Sequence, residues 1–201
     1  MPAGERPEPG REAILRALER HEVLYVVIGG AAAQARGWPE RTDDLDVTPE
    51  RSQGNLARLA AAVEDLAGGF RVDDRRYPDG FRPPGGVDAR TFRNQICVAL
   101  ATRHGNFDVV LRPDGTRGYE EIVQTSTRER MAGTRIVVPV ASAESILHSK
   151  ATANRQKDRD TLTRMREILN PLSTRTPHEP WSPREGHDPG RSRSEHDRSD
   201  R

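Results

Sequence analysis

A chain of 201 residues has room for one domain with a real core, yet only 33% of it is hydrophobic and 31% is charged, so part of it reads as unable to fold. Lys and Arg total 32 against 31 Asp and Glu, and the formal net charge of +1 excludes a global field that would draw a polyanion or a membrane. The single cysteine, Cys97, excludes an internal disulfide and argues against a thiolate metal site; within the apolar run Ile96 to Leu100 it is expected as a small buried hydrophobe.

Met1 to Gly10 holds three prolines and little that is apolar, and is read as a disordered leader (residues 1–10). From Arg11 to Arg20, Ile14, Leu15 and Leu18 share one helical face. Val23 to Ile28 is rich in β-branched residues and ends at Gly29-Gly30, a buried strand followed by a tight turn; a short helix is expected over Ala31 to Arg36. The longest apolar run, Val23 to Ala33, is about half the length of a spanning helix, so no transmembrane segment is expected and the chain is read as cytoplasmic.

Leu45-Asp46-Val47-Thr48 alternates as a half-buried strand does, closed by Pro49, and Leu56, Leu59, Ala60, Val63 and Leu66 mark a helix over Asn55 to Leu66. Phe70 to Asp73 is a short strand, Arg75 to Val87 a loop, and Gln95 to Ala101 and Phe107 to Leu111 a pair of strands whose short link suits a hairpin. Tyr119 to Gln124 reads as helix and Arg135 to Val140 as strand. Ser142 is the expected N-cap of a helix reaching Asn154, with another over Lys157 to Leu169. Beyond Pro171, only Leu172 and Trp181 are large and apolar, so residues 171–201 read as a disordered tail. The mixed order of elements predicts one α/β (α+β) domain over residues 11–170.

Chemistry concentrates in Thr42-Asp43-Asp44-Leu45-Asp46. Residues two apart on a strand share a face, so Asp44 and Asp46 are expected side by side, roughly 7 Å apart at Cα, with Leu45 and Val47 facing the core. Two such carboxylates repel by about 4 kcal/mol at 4 Å and an effective dielectric near 20 unless a cation lies between them, and Mg²⁺ or Mn²⁺ suits their oxygens. Taken alone, an Asp-x-Asp is also an ordinary solvated pair. Asp108, in Asn106-Phe107-Asp108-Val109-Val110, interrupts another strand and becomes a third acid of the same cleft if the two strands are neighbours. Gly29-Gly30 stands between strand and helix, where bare backbone can approach a triphosphate; without Gly-Lys-Ser/Thr it is not a P-loop.

Tyr25 to Gly30, Thr42 to Asp46, Asp108, Lys150 and Arg155-Gln156-Lys157-Asp158 together resemble the nucleotidyltransferase superfamily that includes DNA polymerase β, and in particular its AbiEii-like bacterial branch, over about residues 12 to 169. The resemblance implies a nucleotidyltransferase fold, a small mixed sheet flanked by helices with a helical C-terminal segment. It implies transfer of a nucleoside monophosphate from an NTP with Mg²⁺ or Mn²⁺ as cofactor. Asp44, Asp46 and Asp108 would be the catalytic and metal-binding acids; Gly29, Gly30, Thr42, Lys150, Arg155 and Lys157 would meet the nucleotide. Asp158 reads as a structural salt-bridge partner and His104 as a surface residue. The implied acceptor is an RNA such as tRNA, a protein or a small molecule, and a cognate toxin or antitoxin is an implied partner. The alternative is an inactive binding module on the same fold, antitoxin-like or RNA-binding. Two departures stand out: Gly-Gly where many relatives have Gly-Ser, and Glu40 where relatives often place Arg, with Arg41 one position later. The Arg-Asp that follows the double glycine in CCA-adding enzymes is absent.

Overall fold

The computed structural model describes residues 9–42, 44–72 and 80–169, and of Pro9 and Lys157 the backbone only. The leader through residue 8, Asp43, residues 73–79 with the start of the loop expected from Arg75, and the tail with Trp181 lie outside the described residues.

Helix α1 (Pro9–Arg20) starts ahead of the expected Arg11 and takes in Gly10, where a Cβ would stand 2.0 Å from the His104 carbonyl oxygen. Strand β1 (Tyr25–Ile28) runs directly into α2 (Gly29–Ala35), and β2 (Leu45–Pro49) leads to α3 (Gln53–Asp65), capped by Ser52. Strand β3 (Gly69–Phe70) is shorter than expected, and α4 (Ala89–Arg93) occupies residues with no predicted element, started by a capping box between Asp88 and Thr91. Strands β4 (Cys97–Thr102) and β5 (Gly105–Val110) form the expected hairpin.

Helix α5 (Tyr119–Ile122) continues as a 3-10 turn, Val123–Thr125. Strand β6 (Thr127–Arg130) was not predicted; β7 (Val137–Val140) was, starting slightly later. Helix α6 (Ala143–Ala153) starts at the expected cap, where Ser142 Oγ accepts from the Ser145 N–H at 3.1 Å, and it stops at Asn154, which takes the left-handed region. Helix α7 (Gln156–Leu169) follows.

Among the described residues, seven strands form one mixed sheet in the order β3-β4-β5-β2-β1-β7-β6. β2 is central, antiparallel to β1 and parallel to β5. The β2–β5 register pairs Leu45 with Phe107, Asp46 with Asp108 and Val47 with Val109. Because side chains alternate, the apolar pairs face one side and the two acids the other. Leu45, Val47, Phe107 and Val109 are fully or almost fully buried and join Ile14, Leu15 and Leu18 of α1 and Leu56, Leu59 and Val63 of α3 in the core.

Buried Asn55 ties these layers together: its side chain accepts from the Leu24 N–H and donates to the Leu24 and Glu50 carbonyls, each at 2.8 Å. On the acid side, α6 packs on α2 and α7. Arg36, at the end of α2, donates to the carbonyls of Ala141 at 2.6 Å and Val140 at 3.1 Å, fixing where α6 begins. Among the described residues, no helix is long and apolar enough to cross a membrane.

Candidate active site

The β2–β5 pairing brings Asp46 and Asp108 to adjacent positions, and Asp44 stands just before β2. All three line a pocket of about 630 Å³, shared with Gly29, Gly30, Thr42, Lys150 and Arg155. Gly29 opens this pocket on the β1–α2 side: its φ is +63°, and a Cβ there would stand 2.2 Å from Asp46 Oδ2. Only a residue without a side chain fits at that φ and leaves the carboxylate its place. At Gly30 an added Cβ would lie 3.0 Å from both Cβ and Oγ1 of Thr42. The hydroxyl that Gly-Ser would offer is absent, and the Thr42 hydroxyl lies against the same spot. The loop carrying Thr42 is held by buried Arg11, which donates to the Thr42 carbonyl at 2.6 Å and to Gln34 Oε1 at 3.1 Å.

The sequence reading missed Arg71. Its backbone N–H donates to the Ala99 carbonyl at 2.9 Å, and Ala99 is the β4 residue paired with Asp108. From there its guanidinium reaches Asp108 Oδ1 and Oδ2 at 3.0 and 2.8 Å, and lies 3.6 Å from Asp44 Oδ2. Asn106 donates to Asp44 Oδ1 at 2.9 Å. A cation was expected between Asp44 and Asp46; in this structure a guanidinium lies between Asp44 and Asp108. Among the described residues, no three of His, Cys, Asp or Glu stand close enough together to hold an ion. The donors nevertheless suit a hard divalent cation in kind, all three being carboxylates, and side-chain-free Gly29 leaves the Asp46 carboxylate its place on the pocket. Desolvation raises the Asp108 carboxyl above the ordinary aspartate value; Arg71 pulls it down and the Asp44 charge pushes it further up.

Lys150 was expected to meet the nucleotide. In the structure its Nζ lies 2.6 Å from Asp158 Oδ1, with side-chain exposures of 21% and 6%. Lys150 therefore borders the pocket as half of a mostly buried pair, because the left-handed Asn154 turns α7 back along α6. Asp158 is the structural partner its sequence context suggested. Arg155 borders the pocket from the surface, 64% exposed and 3.9 Å from Asp114. Lys157 lies on α7, its side chain outside the described residues. Cys97 corrects the expectation of burial: it is exposed, since strand alternation sends Val98 and Leu100 into the core and Cys97 to the pocket face. Partial desolvation and the charges of Asp108 and Asp46 raise its thiol above the ordinary value, which keeps it protonated.

No protein-family model and no curated protein matches the chain. Among solved structures, the antibiotic-resistance factor ANT(2'')-Ia is similar at a TM-score of 0.48 and 18% identity, over 79% of this chain and 80% of that one. An antigenic nucleotidyltransferase-like protein from Paracoccidioides brasiliensis gives 0.46 and 22%, over 82% and 76%. The lincosamide antibiotic adenylyltransferase LnuA, solved with lincomycin bound, gives a TM-score of 0.52 and 13% identity over 82% of this chain and 99% of that one. With LnuA covered almost end to end, the fold of this chain is the nucleotidyltransferase fold, a mixed sheet flanked by helices.

Proposed function

We propose that the protein is a metal-dependent nucleotidyltransferase that moves a nucleoside monophosphate from an NTP to an acceptor hydroxyl. The observation that carries this reading is the β2–β5 register, which sets Asp46 beside Asp108 with side-chain-free Gly29 against the Asp46 carboxylate. In the step, the acceptor oxygen bonds to the α-phosphorus, the bond from that phosphorus to its bridging oxygen breaks, and pyrophosphate leaves. Asp108 takes the acceptor proton on a carboxylate oxygen. A Mg²⁺ or Mn²⁺ ion held by Asp44, Asp46 and Asp108 would supply charge neutralisation at the phosphates. Gly29 and Gly30 admit the triphosphate, the Thr42 hydroxyl and the cations Lys150, Arg155 and Lys157 meet it, and most of the rate enhancement comes from positioning and charge.

The Lys150 and Arg155 to Asp158 block supports the AbiEii-like reading, in which the protein is a cytoplasmic partner in a toxin–antitoxin or phage-defence pair. In that case, expression of the parent arrests growth and expression of Asp46→Asn does not. The overlay on LnuA supports a small-molecule acceptor in place of an RNA or a protein. Incubating the protein with each α-labelled NTP, Mg²⁺, and separately bulk tRNA, cell protein and small-molecule extract decides among them. Label should enter one fraction and depend on Asp46. No label in any fraction, with every NTP, returns the chain to the inactive binding-module reading.

A further inference from the structure

The contacts of Arg71 extend beyond the transfer step itself. One guanidinium nitrogen, Nη2, contacts both Asp108 oxygens, and the other, Nη1, approaches Asp44 at 3.6 Å, so one cation serves two of the three acids. Its backbone is fixed to Ala99, so the side chain alone can leave the acids while the main chain stays in the sheet. Of the other cations that line the pocket, which include Arg41 and Arg112, Lys150 is engaged by Asp158 at 2.6 Å and Arg155 lies at the surface beside Asp114. Arg71 has 27% of its side chain exposed and borders the same pocket as Gly29, Gly30 and Thr42.

Two bodies of positive charge cannot share the Asp44 and Asp108 oxygens. A divalent ion needs lone pairs that the guanidinium N–H groups already occupy, and the two would also repel. An arginine freed from carboxylates inside a pocket that receives a triphosphate finds the phosphate oxygens as its natural replacement, since its planar fork matches either anion.

We propose that Arg71 is a tethered counter-ion of the acid cleft, pairing Asp44 and Asp108 before metal arrives, yielding them to the ion, and then pairing with the phosphates of the nucleotide. The inference rests on the metal-dependent transferase reading and deepens it, because it makes ion binding a competition inside the protein. Arg71 is a positioning residue in the first state and a substrate-binding one in the second.

The test uses the full chain with Mn²⁺ as probe, its free concentration followed by electron paramagnetic resonance, with and without α,β-methylene-ATP. Arg71→Met should bind free Mn²⁺ roughly tenfold more tightly than the parent, the scale of one charge-assisted contact removed from the competition. The same variant should bind the Mn²⁺–nucleotide complex roughly tenfold more weakly, so the two affinities move in opposite directions. Arg71→Lys keeps the charge without the fork and should fall between parent and Arg71→Met in both; it carries the test if Arg71→Met does not fold without metal. Equal Mn²⁺ affinity in parent and variants, with binding still lost in Asp46→Asn, overturns the role of Arg71 and leaves the transferase reading standing. No Mn²⁺ binding by the parent, with or without nucleotide, overturns that reading and this inference with it.

Discussion

At Gly29 the backbone holds φ at +63°, a conformation that costs an ordinary L residue about 1–2 kcal/mol. Gly29→Ala adds to that strain a Cβ 2.2 Å from Asp46 Oδ2, which must displace the carboxylate. We expect the variant to lose about 1–2 kcal/mol in urea unfolding and to lose transfer more completely than its stability loss explains. Wild-type turnover in a folded Gly29→Ala protein would show that Asp46 tolerates displacement. Lys150 calls for a different experiment, because its removal strands Asp158, only 6% exposed, without its partner. Breaking a buried ion pair costs about 3–5 kcal/mol, and since a fifth of the Lys150 side chain remains in water the loss for Lys150→Ala should be roughly 2 kcal/mol. Lys150→Met with Asp158→Asn should recover most of that stability, while nucleotide affinity recovers only if Lys150 has no part in holding phosphate. Denaturant midpoints and nucleotide titrations of the single and double variants separate the two roles.

The helices and strands that carry strong local signals were legible without the structure. Ser142 opens α6 because a capping hydroxyl is written in a single residue, and the helical reading ran to Asn154, where the helix ends. β6 was illegible because Thr127–Arg130 has no apolar residue and is held at the sheet edge by backbone pairing to β7. α4 was missed because only five residues, with Phe92 the one buried among them, carry its pattern. The acids of the site were visible as a strand pair and an interrupted strand, and what joins them was not: Arg71 follows a two-residue strand, and its partner Asp108 is 37 residues away. A lone arginine has no local period that points to a distant carboxylate. Asn55 is similar, since it begins a helix in the sequence yet bridges Leu24 and Glu50 in the fold. Asn55→Ala takes the side-chain partner from the Leu24 N–H and the Glu50 carbonyl, while the Leu24 carbonyl keeps the Glu50 N–H at 3.0 Å, and should cost about 1–3 kcal/mol by urea unfolding, at the cost scale of unsatisfied polar groups. A loss under 1 kcal/mol would mean that water or a shifted loop takes over these bonds.

Across the whole molecule, binding at the acid cleft should appear as stability. At a Mg²⁺ and α,β-methylene-ATP concentration about 100-fold above the dissociation constant, linkage adds about 2.7 kcal/mol, which for a domain of this size raises Tm by about 5–10 °C. Asp46→Asn should lose most of that rise, and a parent Tm indifferent to both ligands would count against the site. A separate dependence comes from the far side of the fold, where His21 Nε2 lies 2.7 Å from Asp65 Oδ2 and joins α1 to α3. The hydrogen bond to His21 holds the Asp65 carboxyl below its ordinary value. Its stabilising contribution is therefore complete above the unfolded-state pKa of about 3.9 and fades as pH falls through the lower folded-state value. Asp65→Asn should lower the neutral plateau of a Tm-against-pH curve slightly and converge with the parent as pH falls toward about 3, so that its acid limb is flatter.

The parallel pairing of β2 with β5 also sets a clock. Asn106 reaches back across 62 residues to Asp44, and Asp108 follows it on the same strand. At a synthesis rate of about 5–20 residues per second, a growing chain carries Asp44 and Asp46 for roughly 3–12 s before Asp108 is made. Throughout that interval β2 has no β5 to pair with, and the stretch that supplies Arg71 precedes the acid it will engage. A nascent chain therefore has no complete cleft, and its first two acids remain hydrated. On the proposed reading, the ribosome-bound polypeptide cannot assemble its acid cleft until β5 has emerged and paired with β2.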